Sequence, residues 1–199
     1  GWVAGCHMVD IGRASPLVVS GPGLDFDAER AVVMHVPLPD DRFACVHIAN
    51  AMGQGDGGEL RFPETGFSAA RCTVDGVETS LAAYLKACQA DLRLPLVADY
   101  GGASVNVSIK GIDPATGRVD FYAPVFDDVA YRLAAPVDFA ADPAGGRDTA
   151  LWSCNCILNY LYCGLEGRRG APPGGAMTFG EIAYLLLNQT QVFLEIEAL

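Results

Sequence analysis

Positive charge is scarce in this sequence. Lys and Arg number 13 against 24 Asp and Glu, a formal net charge of −11, and no basic cluster is longer than Arg168-Arg169. Binding a phosphate backbone needs a positive face, so nucleic acid is excluded as a partner. Anionic membrane surfaces are disfavoured on the same ground. Long apolar runs are missing too: none approaches the ~20 residues needed to span a bilayer. The start, Gly1-Trp2-Val3-Ala4-Gly5, lacks a basic stretch followed by an apolar one and does not read as a secretory signal. It also lacks an initiator Met, which leads us to expect a segment upstream. There is no internal repeat and no low-complexity tract. The polar loops at 53–59, 140–148 and 168–175 are too short to be free linkers, so a single domain over 1–199 is expected, with two intimately packed halves as the variant.

What is present fits a globular chain able to bury a core: 51% hydrophobic and 19% charged residues. Seven cysteines, an odd number set mostly among apolar neighbours, argue against a disulfide framework and for free thiols in a cytoplasmic protein. Cys154, Cys156 and Cys163 are spaced C-x-C-x6-C, unlike the paired C-x2–4-C of zinc sites. No bound metal is expected, there or elsewhere in the chain, and no cofactor. The stretch Asp99-Tyr100-Gly101-Gly102-Ala103-Ser104 has neither the lysine of a phosphate loop nor dinucleotide-type glycine spacing.

β-rich runs dominate the first three quarters. Residues 31–36 and 43–48 read as a hairpin across Pro37–Asp41. Asp75-Gly76 marks a two-residue turn between 72–74 and 77–79. Residues 105–109 alternate apolar and polar, and lead through Asp113–Gly117 into a strand at 119–122. Further strands are expected at 129–133 and 192–196. Leu81, Leu85, Cys88 and Leu92 share one helical face, with Ser80 as a cap. A second helix is expected over about 149–165, apolar nearly all round and therefore buried. The fold class that follows is α+β: mainly antiparallel sheets packed against a few helices in a layered sandwich.

Polar groups in apolar segments are the candidate site. Glu181 follows Gly180 in an apolar neighbourhood, where a carboxylate needs a cation or hydrogen-bond donors. Asn155 and Asn159 are carboxamides within the expected buried helix, and Cys156 lines the same side. In the 99–104 loop two glycines allow close approach of a ligand, and Asp99, Tyr100 and Ser104 offer polar contacts. Thr178 precedes Glu181, and Asn188-Gln189-Thr190 opens the last strand. His7, His35 and His47 lie in apolar, strand-like settings. Cys45 and His47 share a strand face, as a nucleophile and base would.

Ser153-Cys154, then Thr178-x-Gly180-Glu181, then Asn188-Gln189-Thr190 come in the order seen in FIST C-terminal domains. Residues 150–196 resemble that module. An Arg that often follows the Ser-Cys pair there is replaced here by Asn155-Cys156-Ile157. The resemblance implies a sensory domain of bacterial-type signal transduction that binds a small ligand. Together the residues and the resemblance suggest a cytoplasmic domain that binds a small polar metabolite, such as an amino acid, without turnover. Glu181, Asn155, Asn159, Cys156, Asp99, Tyr100, Ser104 and Thr178 would contact the ligand, and a signalling protein or a second copy would be the partner. The alternative is a cysteine-dependent hydrolase or transferase using Cys154 or Cys156 with a histidine base.

Overall fold

The computed structural model describes residues 18–20, 25–27, 35–135, 149–162, 175–178 and 180–199. In chain order its strands are β1 (Val18–Ser20), β2 (Asp25–Asp27), β3 (Arg42–Ala49), β4 (Leu60–Arg61), β5 (Gly66–Ala69), β6 (Arg71–Val74) and β7 (Val77–Ser80). Helix α1 (Leu81–Ala87) follows, then β8 (Leu96–Asp99), β9 (Ser104–Val107), β10 (Ile109–Ile112), β11 (Val119–Val125), β12 (Tyr131–Leu133) and β13 (Trp152–Cys156). Helix α2 (Ile157–Tyr162) precedes β14 (Ala176–Thr178), β15 (Glu181–Ala183), β16 (Leu185–Leu187) and β17 (Gln191–Ala198). Among the described residues sheet is therefore dominant and mostly antiparallel, and helix is confined to two short pieces. No described helix is long and apolar enough to cross a membrane.

A six-stranded and a three-stranded sheet enclose the main core. One runs β7-β6-β4-β12-β8-β9 and another β10-β11-β5. Along β11 the residues alternate strictly, so Val119, Phe121, Ala123 and Val125 all turn inward. They join Leu60, Leu96 and Tyr131 in one buried cluster. Phe62 stands edge-on to Phe121 and Tyr131, with ring centroids 5.9 and 5.5 Å apart. Helix α1 closes this core with Leu81 and Leu85, and Ser80 caps it by accepting from the Ala83 N–H. The helix ends before Cys88 and Leu92, because Gln89 takes a left-handed conformation (φ 50°) and turns the chain away.

The remaining four-stranded sheet is β14-β13-β17-β3, with β13 and β14 parallel and the other pairs antiparallel. A second apolar cluster of Val105, Ala183, Leu187 and Val192 ties it to β9 and to the β15-β16 pair.

Several local expectations hold. Asp75 (φ 49°) and Gly76 (φ 82°) form the tight turn between β6 and β7. β10 and β11 pair across Asp113–Gly117. β3 pairs along its length with β17, from Arg42↔Ala198 to Ala49↔Gln191. The expected hairpin with 31–36 falls mostly on residues 31–34, which lie outside the described residues; 35–36 form no strand. Two expectations differ. The 105–109 strand is split at Ser108, whose N–H and hydroxyl leave the ladder for Asn188 and Gln189. Its first half pairs with β8 and its second with β11.

The largest correction concerns 149–165. Residues 152–156 are a strand, and among the described residues only Ile157–Tyr162 is helical. β13 sits between β14 and β17, and both of its faces are buried, Ser153 on one and Cys154 and Cys156 on the other. A strand covered on both faces is apolar without alternation, which is also the pattern of a buried helix.

Candidate functional site: a buried acid in a polar layer

The turn that joins β16 to β17 is the centre of a buried polar layer. Asn188, Gln189, Thr190 and Gln191 are each at most 2% exposed. Gln189 adopts φ 50°, which folds the trio back on itself and aims its groups inward. Glu181, at the start of β15, is likewise 2% exposed. Gly180 before it has φ 131°, where a side chain would be strained and would meet the Leu187 carbonyl. This backbone places the carboxyl beside Thr190, whose N–H (3.1 Å) and hydroxyl both donate to Glu181 Oε1. Oε2 is buried without a hydrogen-bond partner. Burial pushes the Glu181 carboxyl up to about 8, and the Thr190 hydroxyl and N–H, with the Cys156 thiol, offset part of that rise. At neutral pH the group is mostly a neutral acid, with two donors on one oxygen and its proton left to the other.

The layer continues through α2 and β13. The Thr190 carbonyl accepts from Asn159 Nδ2 (3.1 Å), which also donates to Asn155 Oδ1 (3.1 Å). The same carbonyl takes the Cys156 N–H at 3.3 Å. Thr178 shares a hydrogen bond with Cys154 Sγ (3.0 Å) and donates to the Asn155 carbonyl (3.4 Å). Glu181, Asn155, Asn159, Cys156 and Thr178 are thus gathered around one turn. They come from four different elements.

Of the loop residues, Ser104 reaches this layer through its carbonyl. Asn50 Nδ2 donates to it (3.1 Å) and exchanges amide hydrogen bonds with Asn106 (2.9 Å each), and Asn106 Nδ2 donates to the Gln189 carbonyl (3.2 Å). Asp99 and Tyr100 are placed differently. The Asp99 carboxylate binds the Gly102 N–H of its own turn. It also lines a cavity of about 260 Å³ with Gln54, Glu59, Asp128, Tyr131 and Arg132. That cavity shares no lining residue with the polar layer. Tyr100 is exposed.

Asn50, Asn106, Ser108 and Gln191 belong to the layer and were not singled out from the sequence. Alternation in 105–109 sets Asn106 and Ser108 apart from Val105, Val107 and Ile109, which suggests a solvent face. That face is covered by the 188–190 turn, so both are buried. The usable signal was the polar trio itself, since buried amides need amide or hydroxyl partners from elsewhere.

The Cys156 thiol is not activated. Burial, and then the nearby Glu181, push the Cys156 thiol up to about 12. In the sheet register, His47 aligns with Phe193 and Ser153, whereas Ile48 aligns with Val192 and Cys154. His47 therefore projects from the face opposite Cys154 and Cys156. His35 is exposed, and His7 lies outside the described residues. The described cysteines, Cys45, Cys72, Cys88, Cys154 and Cys156, are all free. Iodoacetamide at neutral pH is expected to label exposed Cys88 readily and to spare Cys154 and Cys156 until the protein unfolds. Peptide mapping by mass spectrometry reads each site separately. Rapid alkylation of Cys154 or Cys156 in the native protein would contradict the burial argument.

A family model described as a family of unknown function (DUF6976) matches residues 1–197, and the chain belongs to that family. No curated protein and no solved structure matches it.

Proposed function

We propose that this member of the DUF6976 family is a binding domain for a small polar molecule that carries an amine, an amino acid being the simplest case, and that it performs no turnover. One observation carries the reading: Glu181 Oε2 is buried with no partner. A buried carboxyl oxygen left unpaired is costly, and a ligand ammonium would satisfy it. Asn155 and Asn159 supply the neighbouring amides that would orient such a ligand. The resemblance of 150–196 to FIST C-terminal domains is the ground for a sensory role in the cytoplasm, with a signalling protein or a second copy as partner. A cysteine enzyme would need a lowered thiol pKa and a base in reach. Cys156 has a raised pKa, and His47 is on the other face of the sheet.

The test is thermal denaturation and native mass spectrometry with a panel of amino acids and small amines. A binder at about a hundred times its Kd stabilises by ~2.7 kcal/mol, a rise of roughly 5–10 °C in a chain of this size. Below pH 8 the amine must displace the Glu181 proton, so affinity should increase as pH rises toward 8. Glu181→Gln should abolish the shift. If no compound on the panel shifts the melt, or the Gln variant responds as the parent does, the reading is wrong.

A further inference from the structure

The other face of β3 and β17 holds a second group of chemistry-bearing side chains. Cys45 and His47 are two apart on β3 and project together. The register places Glu195 opposite Cys45 and Glu197 opposite Phe43, and opposed residues in an antiparallel pair share a face. The ligand-type atoms of Cys45, His47 and Glu197 all lie within 4.8 Å of one another. His47 Nε2 is 3.0 Å from Glu195 Oε2 and 3.8 Å from Glu197 Oε1. It is buried, yet makes no aligned hydrogen bond to either. Glu195 is itself anchored, accepting from the Thr149 hydroxyl at 2.6 Å.

We propose that Cys45, His47 and Glu197 form a three-ligand site for a divalent transition metal of the zinc class, with water in the fourth position. Tetrahedral zinc with Zn–N near 2.0 Å and Zn–S near 2.3 Å separates its ligand atoms by about 3.3–3.8 Å. The three groups need close by only about 1 Å from where they stand, and Glu197 is an exposed side chain free to do so. A thiolate with an imidazole selects zinc over magnesium or calcium, which prefer all-oxygen shells. Glu195 remains beside the imidazole as a positioning residue and adds negative charge next to the cation.

The competing reading of Cys45 and His47 is a nucleophile and its base. Burial, a hydrogen bond to Glu197, and the charges of Glu197 and Glu195 all raise the Cys45 thiol. That is the wrong direction for a nucleophile. Metal binding would expel the thiol proton to solvent, so affinity should fall as pH is lowered.

The experiment uses the full chain, stripped with chelator and desalted, then titrated with Zn²⁺ by calorimetry and with Co²⁺ by absorbance. We expect one ion per chain and, with cobalt, a near-ultraviolet thiolate-to-metal charge-transfer band. Cys45→Ser should remove the band. His47→Ala and Glu197→Gln should each weaken zinc by about a hundredfold or more. Cys88→Ser, at an exposed thiol, should change nothing. If His47→Ala fails to fold, Glu197→Gln decides, since that side chain is 46% exposed and tolerates substitution. Absence of stoichiometric binding, a band that survives Cys45→Ser, or one lost in Cys88→Ser would overturn the site.

Discussion

Raising the pH from about 5 to about 8.5 is expected to cost this protein roughly 4 kcal/mol of stability, and Glu181→Gln to remove that loss. The Glu181 carboxyl has a folded pKa of about 8 against 4.5 for the free group, because burial penalises its charged form. Its contribution is fully present below pH 4.5. Between the two values the unfolded chain has lost this proton while the folded chain keeps it. Stability therefore falls as pH rises and is lost through pH 8. Other groups act in different windows. Asp91, Asp113 and Asp127 are held low by their hydrogen bonds, so their stabilisation disappears only in acid, as pH falls through their folded values. The raised thiols of Cys72, at about 11, and Cys156, at about 12, act above the thiol range. Gln keeps an acceptor for both Thr190 donors and puts an amide where the acid proton was. The variant should match the parent near pH 5 and exceed it at pH 8.5, by roughly 10 °C in Tm. Urea titrations at a series of pH values measure this directly. A parent whose stability is flat across the window, or a variant with the same slope, would refute the buried-acid account.

Local signals were readable where one short segment determines its own geometry. Asp75-Gly76 can form its turn because both residues tolerate positive φ. Ser80 caps α1 because its hydroxyl reaches an orphan N–H three residues on. Glu181 could be picked out because a carboxylate in an apolar run must be handled somehow. Its gathering with Asn155, Asn159, Cys156 and Thr178 followed from that need for partners. What was not legible depends on distant chain. β3 finds its partner about 150 residues away, in β17. β13 imitated a helix because both of its faces are buried, Ser153 on one and Cys154 and Cys156 on the other. Asn106 and Ser108 could not be placed in the site because nothing nearby in sequence announces that residues 188–190 will cover them. Asp99 and Tyr100 looked like site residues because a Gly-Gly loop permits ligand approach. In the fold, Asp99 satisfies its own turn and opens onto a different cavity.

Gln189→Ala is expected to destabilise the protein by roughly 3 kcal/mol, an effect large for a single polar residue. The side chain is 1% exposed and bridges two elements. Its Oε1 accepts from the Ser108 hydroxyl at 2.7 Å, and its Nε2 donates to the Arg93 carbonyl at 2.9 Å. Alanine removes both bonds, leaves the buried Ser108 hydroxyl without that acceptor, and opens a cavity. Ala also keeps the unfavourable left-handed backbone without the contacts that hold it there. Because Gln189 and Ser108 act on each other, Ser108→Ala should cost less in the Gln189→Ala background than alone, with a coupling of about 1 kcal/mol. Gln189→Glu separates volume from hydrogen bonding. It fills the same space but turns a carboxylate oxygen toward the Arg93 carbonyl, so its penalty should grow as pH rises. The layer adds a functional consequence. Thr190 follows Gln189 and holds Glu181 by its N–H and hydroxyl. Loosening the turn weakens those donors, which favour the charged carboxylate. The pH at which Glu181 ionises should therefore move upward in Gln189→Ala, visible as a displaced midpoint in the stability–pH curve. A loss under about 1 kcal/mol, strict additivity with Ser108→Ala, or an unmoved midpoint would each show that the 188–190 turn does not hold the acid in place.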